Sequence, residues 1–218
     1  QYDPRAGFFG CDSPAVFSNQ NVTIAPGFFT DIVDSDLKCG YGGDSQSALN
    51  SWIFIAVWKA VTDLGVYRQY EWTIKADPDT VFFPDRMSTM LASHKGASFI
   101  NNCQYGLHGP IEVFSSGAID TLAADYQASF DGKAPGSCVK GLHFGQWGED
   151  MFIAQCLEKV LSIQPVLDAS IMCEGHCDCG DYYWCKGPQA SFHPFKTIDQ
   201  YATCVANAIG SAAAPAAQ

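Results

Sequence analysis

Ten cysteines constrain the fold of this 218-residue chain more than any other feature. They stand at positions 11, 39, 103, 138, 156, 173, 177, 179, 185 and 204. An even number of cysteines spread along a chain favours disulfide bonds and an oxidising compartment. The glycosylation sequon Asn21-Val22-Thr23 fits the same compartment. We therefore predict a disulfide-stapled fold, although the sequence does not determine which cysteines pair.

The segment "HCDCGDYYWC" at 176–185 allows a second interpretation of these cysteines. His176, Cys177, Cys179 and Cys185 are residue types that bind zinc. A Cys-x-Cys spacing is unusual for zinc, however, and the whole chain is rich in cysteine. Disulfides are therefore the favoured interpretation of this segment, with a zinc site as the alternative.

Composition bounds the class of protein. With 47% hydrophobic and 16% charged residues, the chain is expected to fold as a single domain over 1–206, followed by a flexible Ala/Pro tail at 207–218. The net charge of −11 argues against nucleic acid and against adsorption to an anionic membrane. No stretch approaches the roughly 20 apolar residues of a membrane helix, so we expect no membrane span in this chain. Secretion would require a leader that precedes Gln1.

The order of predicted elements indicates an α/β fold. Apolar residues recur at helical spacing from Ser47 to about Tyr67, and again over 149–160. Short apolar runs at 72–74, 81–83 and 97–103 read as strands. Because strands alternate with helices, we predict a layered α/β domain with a mostly parallel central sheet.

An acidic pair interrupts two apolar runs in "WTIKADPDTVFF". Asp77 and Asp79 directly follow a predicted strand, and ligands of open α/β sheets bind at the carboxyl ends of strands. Two carboxylates on one short turn suit Mg²⁺ or Mn²⁺, which can in turn bind a diphosphate. Pro78 stiffens this turn. The alternative is that both acids are ordinary solvated turn residues.

Two further groups are candidates for chemistry. Glu149 and Asp150 open a predicted helix, where one carboxylate could be a general base; acids at this position also stabilise a helix without any catalytic role. His193 lies in "SFHPF" and could supply an imidazole ligand to a metal, although an isolated histidine is more often a packed or surface residue.

The order of these motifs resembles the family 31 glycosyltransferases, which include the Fringe and core 1 β1,3-galactosyltransferase enzymes. The resemblance runs from about Cys11 to His193 through "WTIKADPDTVFF", "YGLHGPIEVFSSGAIDTLA", "GEDMFIAQCL" and "SFHPF". It implies a GT-A fold, a nucleotide-diphospho-sugar transferase sandwich. It also implies an inverting, metal-dependent transfer from a UDP-sugar to a glycan or glycoprotein hydroxyl, with Mn²⁺ or Mg²⁺, in the Golgi lumen or extracellular space.

The resemblance also implies roles for individual residues. Asp79 and His193 would be metal ligands, and Asp77 would face both the metal and the nucleotide sugar. Asp150 would be the catalytic base. The supporting residues would be Glu149 beside the base, Lys75 before the acidic motif, and Gly109 in the acceptor-side turn His108-Gly109-Pro110.

Two departures from the family pattern leave other functions open. Pro78 replaces the central acid of the motif, and the nucleotide-binding unit expected before "CDSPAVFSN" appears truncated. One alternative is therefore a catalytically inactive module that serves as a structural or binding subunit of an extracellular or membrane-associated assembly. A metal-dependent hydrolase of phosphate esters is another.

Overall fold

The computed structural model describes residues 6–44 and 46–212. Helices within these ranges are α1 (Ser51–Leu64), α2 (Pro84–Leu91), α3 (Ser116–Ala128), α4 (Gly136–Gly141), α5 (Glu149–Gln155) and α6 (Ile198–Ala212). Strands are β1 (Phe17–Ser18), β2 (Thr23–Ala25), β3 (Phe28–Phe29), β4 (Asp31–Ile32), β5 (Tyr41–Gly42), β6 (Ser47–Ala48), β7 (Trp72–Ala76), β8 (Val81–Phe82), β9 (Phe99–Asn101), β10 (Ile111–Ser115), β11 (Pro165–Leu167), β12 (Met172–Cys173) and β13 (Ser191–Phe192).

The predicted α/β class is confirmed in its coarse form, as a mixed α/β chain with several small sheets. A four-stranded sheet has the order β11-β9-β10-β7, and a three-stranded sheet has the order β12-β13-β8. The second sheet is mixed, since β12 and β13 are parallel while β13 and β8 are antiparallel. Strand pairs β1-β4, β2-β3 and β5-β6 complete the described sheets.

Helix α1 is shorter than the apolar pattern from Ser47 to about Tyr67 that predicts it. Residues 47–48 pair with β5 instead of joining the helix, and α1 begins at Ser51. It ends because Gly65 adopts a left-handed conformation with φ of 67°, which glycine reaches without steric cost. The predicted helix over 149–160 is also divided, since α5 gives way to a π-helical turn at Cys156–Val160.

The described residues group into two compact units. The first comprises 6–14, 74–112 and 167–212, and the second comprises 15–73 and 113–166. Three of the four boundaries fall inside β7, β10 and β11, and the fourth lies between residues 14 and 15. Each unit has its own core; three disulfide bonds lie in the first unit and one in the second.

The core of the first unit surrounds the end of its cysteine-rich segment. Buried apolar side chains from the three-stranded sheet pack against α6 and the segment before it; they are Val81, Phe83, Phe192, Phe195, Val205 and Ala208. The Arg86 guanidinium lies over the ring of Phe83 and donates to the carbonyls of Gly187, Gln189 and Ala208. Helices α2 and α6 are thereby fixed to one another within this unit.

The core of the second unit lies between α1, α3 and α5. Trp58 meets Phe114 edge to face with ring centroids 5.1 Å apart, and the Tyr126 hydroxyl donates to the Ile55 carbonyl at 2.7 Å. The buried carboxylate of Asp125 accepts the amide hydrogens of Ser137 and Cys138 at the start of α4. This core is mostly apolar, and the Trp58 Nε1 is buried in it without a hydrogen-bond partner among the described residues.

The predicted disulfides are present. Eight cysteines form four bonds in the described chain: Cys103–Cys177, Cys173–Cys179 and Cys185–Cys204 in the first unit, and Cys138–Cys156 in the second. All three cysteines of the zinc interpretation are therefore oxidised, which rules out a zinc–thiolate site there. Cys11 and Cys39 have free thiols. The disulfides are compatible with an extracellular or lumenal protein.

The C-terminal helix reaches further than the sequence indicates. Residues 207–212, which the sequence assigns to a flexible tail, belong to α6, and 213–218 lie outside the described residues. Within the described ranges, the helices are too short or too polar to cross a membrane.

Candidate cation site

The register of the three-stranded sheet brings the residues of the candidate site together. Met172 and Cys173 of β12 lie opposite Ser191 and Phe192 of β13. On its other side β13 lies antiparallel to β8, so the residue after β13 and the residues before β8 reach the same edge. His193 is therefore flanked by Glu174, which follows β12, and by the turn that precedes β8.

Backbone hydrogen bonds extend this register beyond the strand ends. The His193 amide donates to the Cys173 carbonyl at 3.2 Å, and the Phe195 amide donates to the Asp79 carbonyl at 2.9 Å. The peptide between His193 and Pro194 is cis. The imidazole and the acidic turn are thus fixed to each other by main-chain contacts as well as by side chains.

The Asp-Pro-Asp turn is anchored to a second turn. The Thr80 amide donates to the Asp77 carbonyl at 3.0 Å, which closes the acidic turn. The Asp77 amide and the Thr80 hydroxyl both donate to the Pro110 carbonyl, at 3.0 and 2.9 Å. The turn at 108–110, which the resemblance assigns to the acceptor side, therefore supports the acidic motif.

Asp77, Asp79 and His193 form one cluster. A ligand atom from each of the three lies within 4.8 Å of the others, and His193 Nε2 is 3.5 Å from Asp79 Oδ1. The Asp79 and His193 side chains are only 16% and 14% exposed. Two carboxylates and an imidazole are donors that suit Mn²⁺ or Mg²⁺, so the residues present fit the cation that the sequence predicts.

Lys75 balances part of this negative charge. Its ammonium group lies 2.7 Å from Asp77 Oδ1, donates to the Gly109 carbonyl at 2.6 Å, and is 4.0 Å from the buried carboxylate of Glu112. Lys75 and Gly109, both assigned to cofactor binding by the resemblance, are therefore in direct contact with each other, and Lys75 also contacts Asp77.

Sequence reasoning missed Glu174, whose side chain is 7% exposed. Oε1 of Glu174 lies 2.9 Å from His193 Nδ1, and Oε2 lies 2.8 Å from His108 Nε2. Burial by itself raises the pKa of this carboxyl, but the hydrogen bonds and charge of the two histidines outweigh burial and lower the pKa to about 2. The residue sits among cysteines, and no motif distinguishes it.

Sequence reasoning also missed Asn102, which is fully buried. Its Nδ2 donates to the carbonyls of His108, at 2.8 Å, and of Ile111, and its Oδ1 accepts the His108 amide at 2.8 Å. One amide side chain therefore determines the path of the turn against which the acidic motif is anchored.

A second potential ligand group contains His108, Glu174 and Cys177. Because the Cys177 sulfur is bonded to Cys103, it is not a thiolate and cannot ligate as one. Only a histidine and a carboxylate of that group remain as ligands.

Glu149 and Asp150 lie in the second unit, at the start of α5. The Glu149 amide donates to Asn50 Oδ1 at 2.9 Å, and Asp150 Oδ1 accepts the Met151 amide at 2.7 Å. The Ser51 hydroxyl donates to the Gly148 carbonyl at 3.2 Å. These contacts attach the start of α5 to the start of α1, and the catalytic roles of both acids stay predictions.

Comparison with protein-family models, with curated proteins and with solved structures gives no match for this chain.

Proposed function

We propose that the protein is an inverting, metal-dependent glycosyltransferase that moves a sugar from a UDP-sugar to a hydroxyl of a glycan or glycoprotein. The convergence of His193 with Asp77 and Asp79, which precede it by more than 100 residues along the chain, supports this proposal. The proposal extends to a GT-A arrangement of the chain and to the Golgi lumen or the extracellular space.

In this function Asp79, His193 and Asp77 would hold Mn²⁺ or Mg²⁺. The bound cation would supply positive charge to offset the charge of a leaving diphosphate. Lys75 restrains the Asp77 carboxylate through its direct ion pair, and its bond to Gly109 couples the acidic turn to the turn at 108–110. A preorganised arrangement of this kind reduces the rearrangement needed on binding.

Asp150 is proposed as the base that accepts the proton of the attacking hydroxyl, with Glu149 as its neighbour. This assignment derives from the resemblance. Asp150→Asn is expected to abolish transfer while leaving the affinity for UDP and Mn²⁺ unchanged, because the substitution removes only the proton acceptor. A variant that transfers sugar at the rate of the unaltered protein would exclude Asp150 as the base.

A non-catalytic module is the second candidate, and one contact favours it. The ammonium group of Lys196 contacts Asp79 Oδ2. The lysine neutralises this carboxylate without a divalent cation. A structural module, which binds no cation, would need such a neutralising partner. The two functions differ in whether a divalent cation and UDP bind at all.

Isothermal titration of the protein with UDP, in the presence and absence of Mn²⁺, tests the proposal. We expect binding that depends on Mn²⁺ and is lost in Asp79→Ala. Asp85→Ala is the matched control, because it removes an exposed carboxylate from the same unit, outside the cluster. No binding at millimolar UDP and Mn²⁺ would overturn the transferase proposal in favour of the structural module.

A further inference from the structure

We infer that Glu174 is a positioning residue, which orients the imidazole of His193 for the cation and ties the turn at His108 to the same carboxylate. This inference rests on the proposed function, since it deepens the account of the same cation site. It also gives the cysteine-rich segment a role: the segment fixes the position of one buried carboxylate.

Disulfides immobilise the backbone of Glu174. Cys173, the preceding residue, is bonded to Cys179, and Cys177 is bonded to Cys103. The Glu174 carbonyl accepts the amide hydrogens of Cys177 and Cys179, both at 3.1 Å. The carboxylate therefore projects from a short loop that one disulfide closes and a second attaches to Cys103. Hydrogen bonds within the loop hold it further.

The contact with His193 selects one form of the imidazole. An ionised carboxylate only accepts hydrogen bonds, so the nitrogen 2.9 Å from Glu174 Oε1, which is Nδ1, carries the proton. In the neutral ring Nε2 then has its lone pair free for a metal, and Nε2 is the atom that faces Asp79 at 3.5 Å. Histidine ligands in metal sites are commonly oriented in this way by a carboxylate on the other nitrogen.

Glu174 also contacts His108, whose Nε2 lies 2.8 Å from Glu174 Oε2. The backbone of His108 is held by Asn102, and the next two carbonyls of this turn accept hydrogen bonds from Lys75, Asp77 and Thr80. A single carboxylate thus connects the imidazole of the cation cluster with the turn that supports its acidic motif.

The first test uses the unaltered protein. Long-range proton–nitrogen NMR spectra of the histidine rings, recorded on the alkaline side of each ring's titration, distinguish the two neutral tautomers. We expect the Nδ1–H form for His193. The Nε2–H form at His193 would overturn the inference, because its metal-facing nitrogen would then be protonated.

The second test uses Glu174→Gln, which retains side-chain size and removes the charge. We expect the affinity for Mn²⁺ to fall about 10- to 100-fold, the usual effect of losing such an outer carboxylate. The nitrogen modulation that a coordinated imidazole produces in the electron spin-echo spectrum of bound Mn²⁺ should also weaken. His193→Ala should abolish this modulation, which identifies its source.

Asp168→Asn is the matched control, since Asp168 is also a carboxylate paired with a histidine in the same unit, 2.7 Å from His94 Nε2. It should leave Mn²⁺ affinity and nitrogen modulation unchanged. If Glu174→Gln retains both as well, the positioning role is wrong while the cation site stands. If the unaltered protein binds no Mn²⁺, the proposed function itself fails, and the NMR result still reports the tautomers separately.

Discussion

Lys196 and Asp79 are in direct contact through the ammonium group and Oδ2. The Lys196 side chain is 72% exposed, whereas the Asp79 side chain is 16% exposed. The lysine therefore reaches in from solvent onto a carboxylate that is largely shielded. A divalent cation bound at Asp79 would meet a positive charge already at this carboxylate.

Replacing Lys196 with alanine should strengthen binding of Mn²⁺ in the absence of nucleotide. An exposed ion pair is worth up to about 1 kcal/mol, so relief of this competition should increase the affinity up to roughly fivefold. The free energy of unfolding should change by less than about 1 kcal/mol for the same reason. Titration with Mn²⁺ alone measures the first quantity, and Lys95→Ala is the control for loss of an exposed lysine. Weaker binding in Lys196→Ala would show that the lysine does not compete with the cation.

Replacing Asn102 with alanine should destabilise the protein severely. The substitution leaves two backbone carbonyls and one amide hydrogen without the partners they have in the fully buried Asn102. Unpaired buried groups cost about 1–3 kcal/mol each, so we expect a loss of roughly 3 kcal/mol or more in unfolding free energy. Chemical denaturation measures this loss.

The neighbouring Asn101 provides the control for that experiment. Its Oδ1 is buried without a hydrogen-bond partner among the described residues. Asn101→Ala should therefore cost much less than Asn102→Ala. Equal losses at the two positions would mean that side-chain volume, and not the hydrogen bonds of Asn102, stabilises the turn.

The two free thiols should react at very different rates. Burial, with a smaller contribution from Asp12, raises the pKa of Cys11 from 9.0 to about 11. A rise of this size lowers the thiolate fraction at neutral pH roughly 100-fold, and the thiolate is the reactive form. Cys39, which is exposed, should be alkylated first in the folded protein.

Mass spectrometry of peptides after timed alkylation measures both rates. Labelling of Cys11 should accelerate about tenfold per pH unit until the pH approaches its pKa. In denaturant without reductant the two thiols should react alike, and the eight disulfide-bonded cysteines should stay unlabelled. Equal rates for Cys11 and Cys39 in the folded protein would contradict the burial of Cys11.

Glu174 should contribute to stability in a defined range of acid pH. Its folded pKa of about 2 lies below its ordinary value of 4.5, so its contribution is complete above about pH 4.5 and is lost as the pH falls towards 2. The amount is up to about 3 kcal/mol. Glu174→Gln should therefore flatten the dependence of unfolding free energy on pH over this range. Asp85→Asn should change the slope far less, and an unchanged slope in Glu174→Gln would contradict the prediction.

The sequence predicts those elements whose signal is local. Strand β7 starts at Trp72, as the apolar run at 72–74 predicts, because a bounded apolar run is a short-range feature. The end of α1 was placed too late, since apolar periodicity continues past Gly65, where the backbone turns. The mostly parallel arrangement of a central sheet stays a prediction, because the order of elements does not determine how strands pair.

The residues of the candidate site also differ in whether a local sequence signal predicts them. Asp77, Asp79 and His193 were recognised because each belongs to a motif with characteristic neighbours. Glu174 and Asn102 were missed because their importance depends on the pairing of β12 with β13 and on the path of the turn at 108–110, neither of which has a local signature.

The two-residue strands β8, β12 and β13 make the site sensitive to changes in chain length. Side chains alternate between the two faces of a sheet. Insertion of one residue between Phe192 and His193, or deletion of Phe192, would therefore turn the imidazole to the opposite face. Substitution can weaken this site by degrees, whereas a one-residue shift in the register of any of these strands removes it in a single step.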